Sequence, residues 1–214
     1  GDRLAVGATA ADGSSNNNSG SGEVHLITFT DTDFNGGKLE GTIGDGFIGG
    51  SNVNISGSLD DDDSFGSAVS LNGAGDRLVV GAAQADGSGN SSNNSGEVRF
   101  FRFLPNTNGG LQIGTIGLGF TGGSNVNMSG KLDDSDEFGS AVSLNNAGDR
   151  LAVGARRADG SGNGSSRSGE VHLFSFTDSD FNGGSLEGTI GEGFSFGKSV
   201  DMSGALDDSD EFGS

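Results

Sequence analysis

The chain contains no cysteine, no tryptophan, no tyrosine and a single proline in 214 residues. Without cysteine it can form neither a disulfide scaffold nor a thiolate site. Without tryptophan and tyrosine it lacks the rings on which sugar-binding proteins usually stack their ligands. Positive charge is scarce as well: 11 Lys and Arg face 30 Asp and Glu, for a net charge of −19. Nucleic acid and anionic membrane surfaces require a basic patch, so neither is an expected partner. No apolar run approaches the roughly 20 residues of a membrane-spanning helix, so membrane insertion is not expected. No signal peptide stands at the front, and the chain opens at Gly1 inside a repeat, so a piece of a longer protein is expected.

What is abundant is glycine, at 43 residues, and repetition. Hydrophobic residues amount to only 31%, which with this charge would ordinarily mean disorder. Here they gather in strand-length clusters between turn residues, the pattern of a folded, all-β chain. "GDRLAVGA" at 1–8 returns as "GDRLVVGA" at 75–82 and as "GDRLAVGA" at 148–155. "GTIG" stands at 41–44, 114–117 and 188–191, and "FGSAVSLN" at 65–72 and 138–145 begins again as "FGS" at 212–214. The spacing of 73 or 74 residues divides the chain into 1–64, a unit lacking its first strand, then 65–137, 138–211 and the start of another unit at 212–214.

Each unit reads as four strands: in the middle one "FGSAVSL" (65–71), "DRLVVGA" (76–82), "EVRFFRF" (97–103) and "LQIGTIGLGF" (111–120). Short turns make neighbouring strands antiparallel within one sheet. The consecutive apolar residues Leu78, Val79 and Val80 require burial on both faces of that sheet, which neighbouring units must supply. Gly66, Ala68, Gly81 and Ala82 are small enough to let the sheets approach closely. This is the logic of propeller blades stacked face to face. Three units are fewer than the four to eight of a closed ring, so both a ring completed by further units and an open spiral stay possible.

The stretch "FGSAVSLNGAGDRLVVGA…GEVRFF" resembles the FG-GAP repeat, the blade of the integrin α-chain propeller and of tandem arrays in large bacterial surface proteins. The resemblance implies four-stranded blades. It also implies a calcium loop between the first two strands, but "NGAGD" (72–76) and "NNAGD" (145–149) lack the carboxylates for it, so that site is not carried over.

A different loop keeps thirteen residues while its composition drifts: "ADGSSNNNSGSGE" (11–23), "ADGSGNSSNNSGE" (85–97) and "ADGSGNGSSRSGE" (158–170). Asp12, Ser14, Asn16 and Glu23 occupy positions 1, 3, 5 and 12 of a calcium loop, as do Asp86, Ser88, Asn90 and Glu97, and Asp159, Ser161, Asn163 and Glu170. Calcium takes oxygen ligands at such a spacing, and a fixed length brings the closing Glu into reach. The turn glycine of position 6 is present only as Gly164, with Asn17 and Ser91 in the other copies. A plain surface loop, capped by its Asp, is the competing reading. "DTDFNGG" (31–37) and "DSDFNGG" (178–184) set Asp, Asp and Asn at alternate positions and read as Asx/Gly turns in preference to a second calcium loop, since the middle unit's "PNTNGG" (105–110) lacks the carboxylates. The runs "DDDDSFG" (60–66) and "DDSDEFG" (133–139 and 207–213) read as solvated acidic turns or as cation bridges between units.

His25 and His172 share a strand position with Arg99, which reads as an exposed strand side chain rather than a catalytic base. No G-x-S-x-G elbow and no P-loop lysine occurs, and the paired carboxylates repeat in every unit, so no enzyme is expected. The expected role is structural: a segment of an extracellular or cell-surface filament, stalk or adhesin, stabilised by calcium, whose partners are adjacent repeats or other copies of the chain. The alternative is a closed propeller that binds a cell-surface, host or prey ligand, with Arg156 and Arg157 marking a specialised face where the other units carry Thr9 and Ala10 or Ala83 and Gln84.

Overall fold

Short apolar stretches between glycine-rich turns fold into three sheets, one per unit. The structure, a computed structural model, describes residues 2–16, 18–104 and 110–214, and no helix occurs among them. The first sheet is β1 (Arg3–Ala8), β2 (Glu23–Thr28), β3 (Lys38–Gly44) and β4 (Val53–Asn54). The second is β5 (Phe65–Leu71), β6 (Arg77–Ala82), β7 (Glu97–Phe103), β8 (Gly110–Gly117) and β9 (Val126–Asn127). The third is β10 (Phe138–Leu144), β11 (Arg150–Ala155), β12 (Glu170–Ser175), β13 (Ser185–Gly191) and β14 (Val200–Asp201). Strands follow one another in chain order, and the three sheets do not close into a ring.

The expected antiparallel ribbons are present, with one addition. A two-residue strand pairs in parallel with the "GTIG" strand, setting Val126 beside Ile116 in the middle unit. It is too short to show as alternation in sequence. Its seat is made by a side chain: Asn125 Oδ1 accepts the Thr115 amide at 2.8 Å, and Asn52 does the same for Thr42.

Alternate side chains of one strand serve two different cores. Leu78, Val80 and Ala82 of β6 pack with Val24, Leu26, Ile43 and Phe65, on the first sheet's side. Val79, one residue away, packs with Phe100, Phe138, Val153 and Phe174 on the third sheet's side. All six residues of β6 are buried. The cores therefore lie between units rather than within them, and each fully buried Leu or Val adds about 1.5–3 kcal/mol. Leu4 and Val6, the counterparts of Leu78 and Val80 on the first sheet, are 42% and 41% exposed because no sheet covers that face.

The closest approach between units is backbone on backbone. Gly66 and Gly139 sit at the bulge of β5 and β10 with φ of 92° and 93°, conformations that a side chain would strain. A Cβ placed on Gly81 would stand 2.0 Å from the carbonyl oxygen of Gly139. Gly7 meets Gly66 in the same way. Gly81→Ala is expected to cost at least about 2 kcal/mol, because two sheets must part to admit one methyl. Gly164→Ala, on an open loop with nothing within 4 Å, is expected to stay within about 0.5 kcal/mol of the parent. Urea midpoints of the two variants check this.

Candidate functional site

The thirteen-residue loops owe their fixed length to a docking task. In each, the first Asp braces the loop from inside: Asp12 Oδ1 accepts the Gly20 amide at 2.9 Å, Asp86 Oδ1 that of Asn94 at 2.7 Å and Asp159 Oδ1 that of Arg167 at 2.7 Å. The base closes through the amides of Gly22, Gly96 and Gly169, which donate to the carbonyls of Ala11, Ala85 and Ala158. Asn16, Asn90 and Asn163 take left-handed φ values of 52°, 52° and 55°, which asparagine tolerates. The far arm then offers three successive carbonyls to the acidic run that follows the sheet. Ser19, Gly20 and Ser21 accept the amides of Asp62, Ser64 and Phe65 at 2.7, 3.2 and 2.9 Å. Asn93, Asn94 and Ser95 do so for Ser135, Glu137 and Phe138, and residues 166–168 for Ser209, Glu211 and Phe212. An inserted residue would break this register and misplace the next unit's first strand.

The acidic run thus sits on one unit's loop while its side chains turn to the loop of the next. Asn90 donates to Asp60, and Asn163 Nδ2 donates to Asp133 Oδ2 at 3.0 Å. Two cavities result. One, of about 210 Å³, is lined by Asp60, Asp63, Asp86, Ser88, Asn90, Glu97 and Arg99. The other, of about 230 Å³, is lined by Asp133, Asp136, Asp159, Ser161, Asn163, Glu170 and His172. All four loop positions singled out in sequence therefore meet in the second and third units, joined by acidic-run residues that the sequence reading kept apart. The signal that links them is the common offset of 30 residues from Asp60 to Asn90 and from Asp133 to Asn163. In the first unit Asp12 is the loop brace, the Ser14 amide donates to the Asp45 carbonyl at 2.9 Å, and Glu23 pairs with His25 Nε2 at 3.0 Å. Asn16 supplies the left-handed turn, and Asn17 lies outside the described residues. Among the described residues no three His, Asp or Glu side chains converge closely enough to ligate one metal ion directly.

The strand position shared by Arg99 and His172 is not exposed, as sequence alone suggested. Both side chains are buried, because the acidic run folds over them and the neighbouring sheet packs on that face. Arg99 Nε donates to Glu97 Oε1 at 2.6 Å, and its guanidinium also reaches the Ser58 carbonyl. His172 has no such reach. Its Nδ1 meets Thr189 Oγ1 at 3.2 Å, while Nε2 stands 3.3 Å from Glu170 Oε2 without the geometry of a hydrogen bond and has no hydrogen-bond partner.

Burial dominates the protonation of these groups. Loss of water pushes Asp63 up to about 7, Asp136 to about 6 and Glu170 to about 8, with further upward pressure from neighbouring carboxylates. Glu97 is pushed up by burial too, against the pull of Arg99. Burial lowers His172 to about 4, aided by the charge of Lys131.

The other acidic turns serve as braces. Asp31 accepts the amides of Asp33 and Asn35, and Asp178 those of Asp180 and Asn182, as Asx turns do. Asp180 then reaches across to the second sheet, holding Arg77 at 2.6 Å and Arg102 at 3.0 Å. The middle unit's version of this turn falls on 105–109, outside the described residues. Arg156 and Arg157 both pair with buried Glu137 at 2.5 Å, where the preceding junction instead has Ser64 donating to Gln84 at 2.7 Å. The arginines thus vary together with their junction partner.

The family model for the FG-GAP repeat matches residues 132–174. That stretch runs from the acidic run through β10, β11 and the third loop into β12. It carries the expected resemblance. No curated protein matches the chain. Among solved structures the chain is similar to a candidate 6-phosphogluconolactonase from Bacteroides uniformis, at 10% identity and a TM-score of 0.40, over 83% of this chain and 34% of that one. It is similar also to the periplasmic gluconolactonase PpgL of Pseudomonas aeruginosa, at 16% identity and a TM-score of 0.41, over 84% of this chain and 36% of that one. The chain therefore spans about a third of the length of these structures.

These likenesses correct one expectation. Repetition and missing motifs point away from an enzyme, yet both similar structures are described as lactonases. The exclusion does not hold, because a scaffold's regularity says nothing about chemistry carried on its loops. At this identity the likeness brings neither an activity nor a residue role to this chain.

The raised carboxyls have a consequence for stability. A carboxyl whose folded pKa lies above its unfolded value binds its proton more tightly when folded, so it supports the fold at low pH and loses that support as pH rises through the folded value. His172 works in the opposite sense, but only below about 6.5. In chelator-treated buffer the thermal midpoint is therefore expected to fall steadily between pH 6.5 and 8.5, where Asp63 and Glu170 titrate unopposed. Thermal melts across that window check the sign.

Proposed function

We propose that the chain is a run of structural repeat units from a large extracellular bacterial surface protein, in which successive sheets stack to build a filament, stalk or adhesin. One observation carries this reading: a second-strand glycine meets the next unit's bulge glycine at every junction, Gly7 on Gly66, Gly81 on Gly139 and Gly154 on Gly213, while the opposite face of the first sheet stands bare. Phe181, from the turn of the third unit, is fully buried and stacks on Phe100 of the second sheet at 4.3 Å. Its counterpart Phe34 is 68% exposed, and Leu4 and Val6 of the first sheet are exposed as well. That face fits another unit of the same sequence, in the same chain or in another copy. The surplus of acidic residues keeps such an array soluble and separate from nucleic acid.

A closed propeller that binds a ligand is the second reading, and the FG-GAP match at 132–174 favours it, since that repeat resembles a propeller blade. Chains extended to six and nine units, imaged by negative-stain electron microscopy, separate the two. The filament reading expects rods that lengthen by about 10 Å per added unit, the spacing of face-packed sheets. Discs of constant diameter would overturn it in favour of the ring.

A further inference from the structure

The two junction cavities are built alike and differ in one respect, the side chain at the shared strand position. In the middle unit a guanidinium fills it. Arg99 neutralises Glu97 and ties the acidic linker through the Ser58 carbonyl, so the cavity supplies its own cation. In the third unit the same four carboxylates, Asp133, Asp136, Asp159 and Glu170, surround an imidazole. His172 is 1% exposed, and its Nε2 lines the cavity with no hydrogen-bond partner. Its Nδ1 is engaged by Thr189, so Nε2 is the nitrogen left over. Nε2 and Glu170 Oε2 stand 3.3 Å apart at the cavity wall, where a hydrated cation can engage both through its waters. Lys131 stands at the exposed rim and is the one basic side chain lining this cavity.

We propose that the third-unit cavity binds one divalent cation in partly hydrated form, and that Arg99 takes the place of that ion in the middle unit. The cavity holds about 230 Å³, room for an ion with several waters at about 30 Å³ each. A hydrated ion also suits carboxylates that line the space without converging on one point. Hard divalent cations keep waters in this way, bound through a few carboxylate oxygens. Glu170 is buried beside His172, so an ion in the cavity offsets negative charge that the fold has taken out of water. The ion would tie the acidic linker, anchored on the second unit's loop, to the loop and strand of the third. This cation lock rests on the junction within the chain and stands whether longer arrays form rods or rings.

Calcium titrated calorimetrically into the whole chain at pH 7.5, after chelator treatment, tests the proposal. Saturable binding of one ion per chain is expected, in the weak range of about 10⁻⁴–10⁻³ M, with a thermal midpoint that rises at 10 mM calcium. His172→Arg copies the middle unit's solution. It is expected to abolish both binding and the calcium-dependent rise, while melting at or above the parent in chelator. Arg99→His is expected to create a second site and raise the stoichiometry from one to two. The absence of saturable binding to the parent, or binding that survives His172→Arg, overturns the proposal. Should His172→Arg not fold, a stoichiometry that remains at one in Arg99→His overturns it equally.

Discussion

Leu78 and Val79 are neighbours in one strand, yet each is fully buried in a different core. A single sheet cannot do this in water, since pleating sends adjacent side chains to opposite faces. The structure therefore depends on sheet stacking, and stacking depends on how near two backbones can come. Gly7, Gly81 and Gly154 set that distance by leaving no Cβ where the carbonyls of Gly66, Gly139 and Gly213 pass. The phenylalanines fill the space so defined, edge to face for Phe65 with Phe101 and for Phe138 with Phe174.

Charge is organised by the same contacts. The acidic runs are linkers with two jobs: their backbones add to the loop of the unit behind, and their side chains cap the loop of the unit ahead. Burying carboxylates at a junction is unfavourable unless something offsets it. The junctions answer this with Arg99, with the Arg156 and Arg157 pair on Glu137, and with raised proton affinity at Asp63, Asp136 and Glu170. A unit boundary is thus also an electrostatic boundary, which ties the assembly of units to pH.

Much of this was legible in the sequence because it is local and repeated. The strand clusters, the turns and the both-faced burial of Leu78 to Val80 follow from patterning alone. The two-residue strands were not legible, since Val126 and Asn127 owe their pairing to the Asn125 carboxamide rather than to alternation. For the loops, spacing groups Asp86, Ser88, Asn90 and Glu97, and these four line one cavity. It missed Asp60 and Asp63, because those arrive from the preceding linker by tertiary packing. The burial of His172 was hidden for the same reason: its covering comes from another unit.

The middle unit excised alone, residues 65–137, puts the central dependence to the most direct test. Circular dichroism and thermal melting of that segment at neutral pH should show a chain without a cooperative transition, since both faces of β6 lose their partners. A compact monomer that melts in a single sharp step would contradict the account.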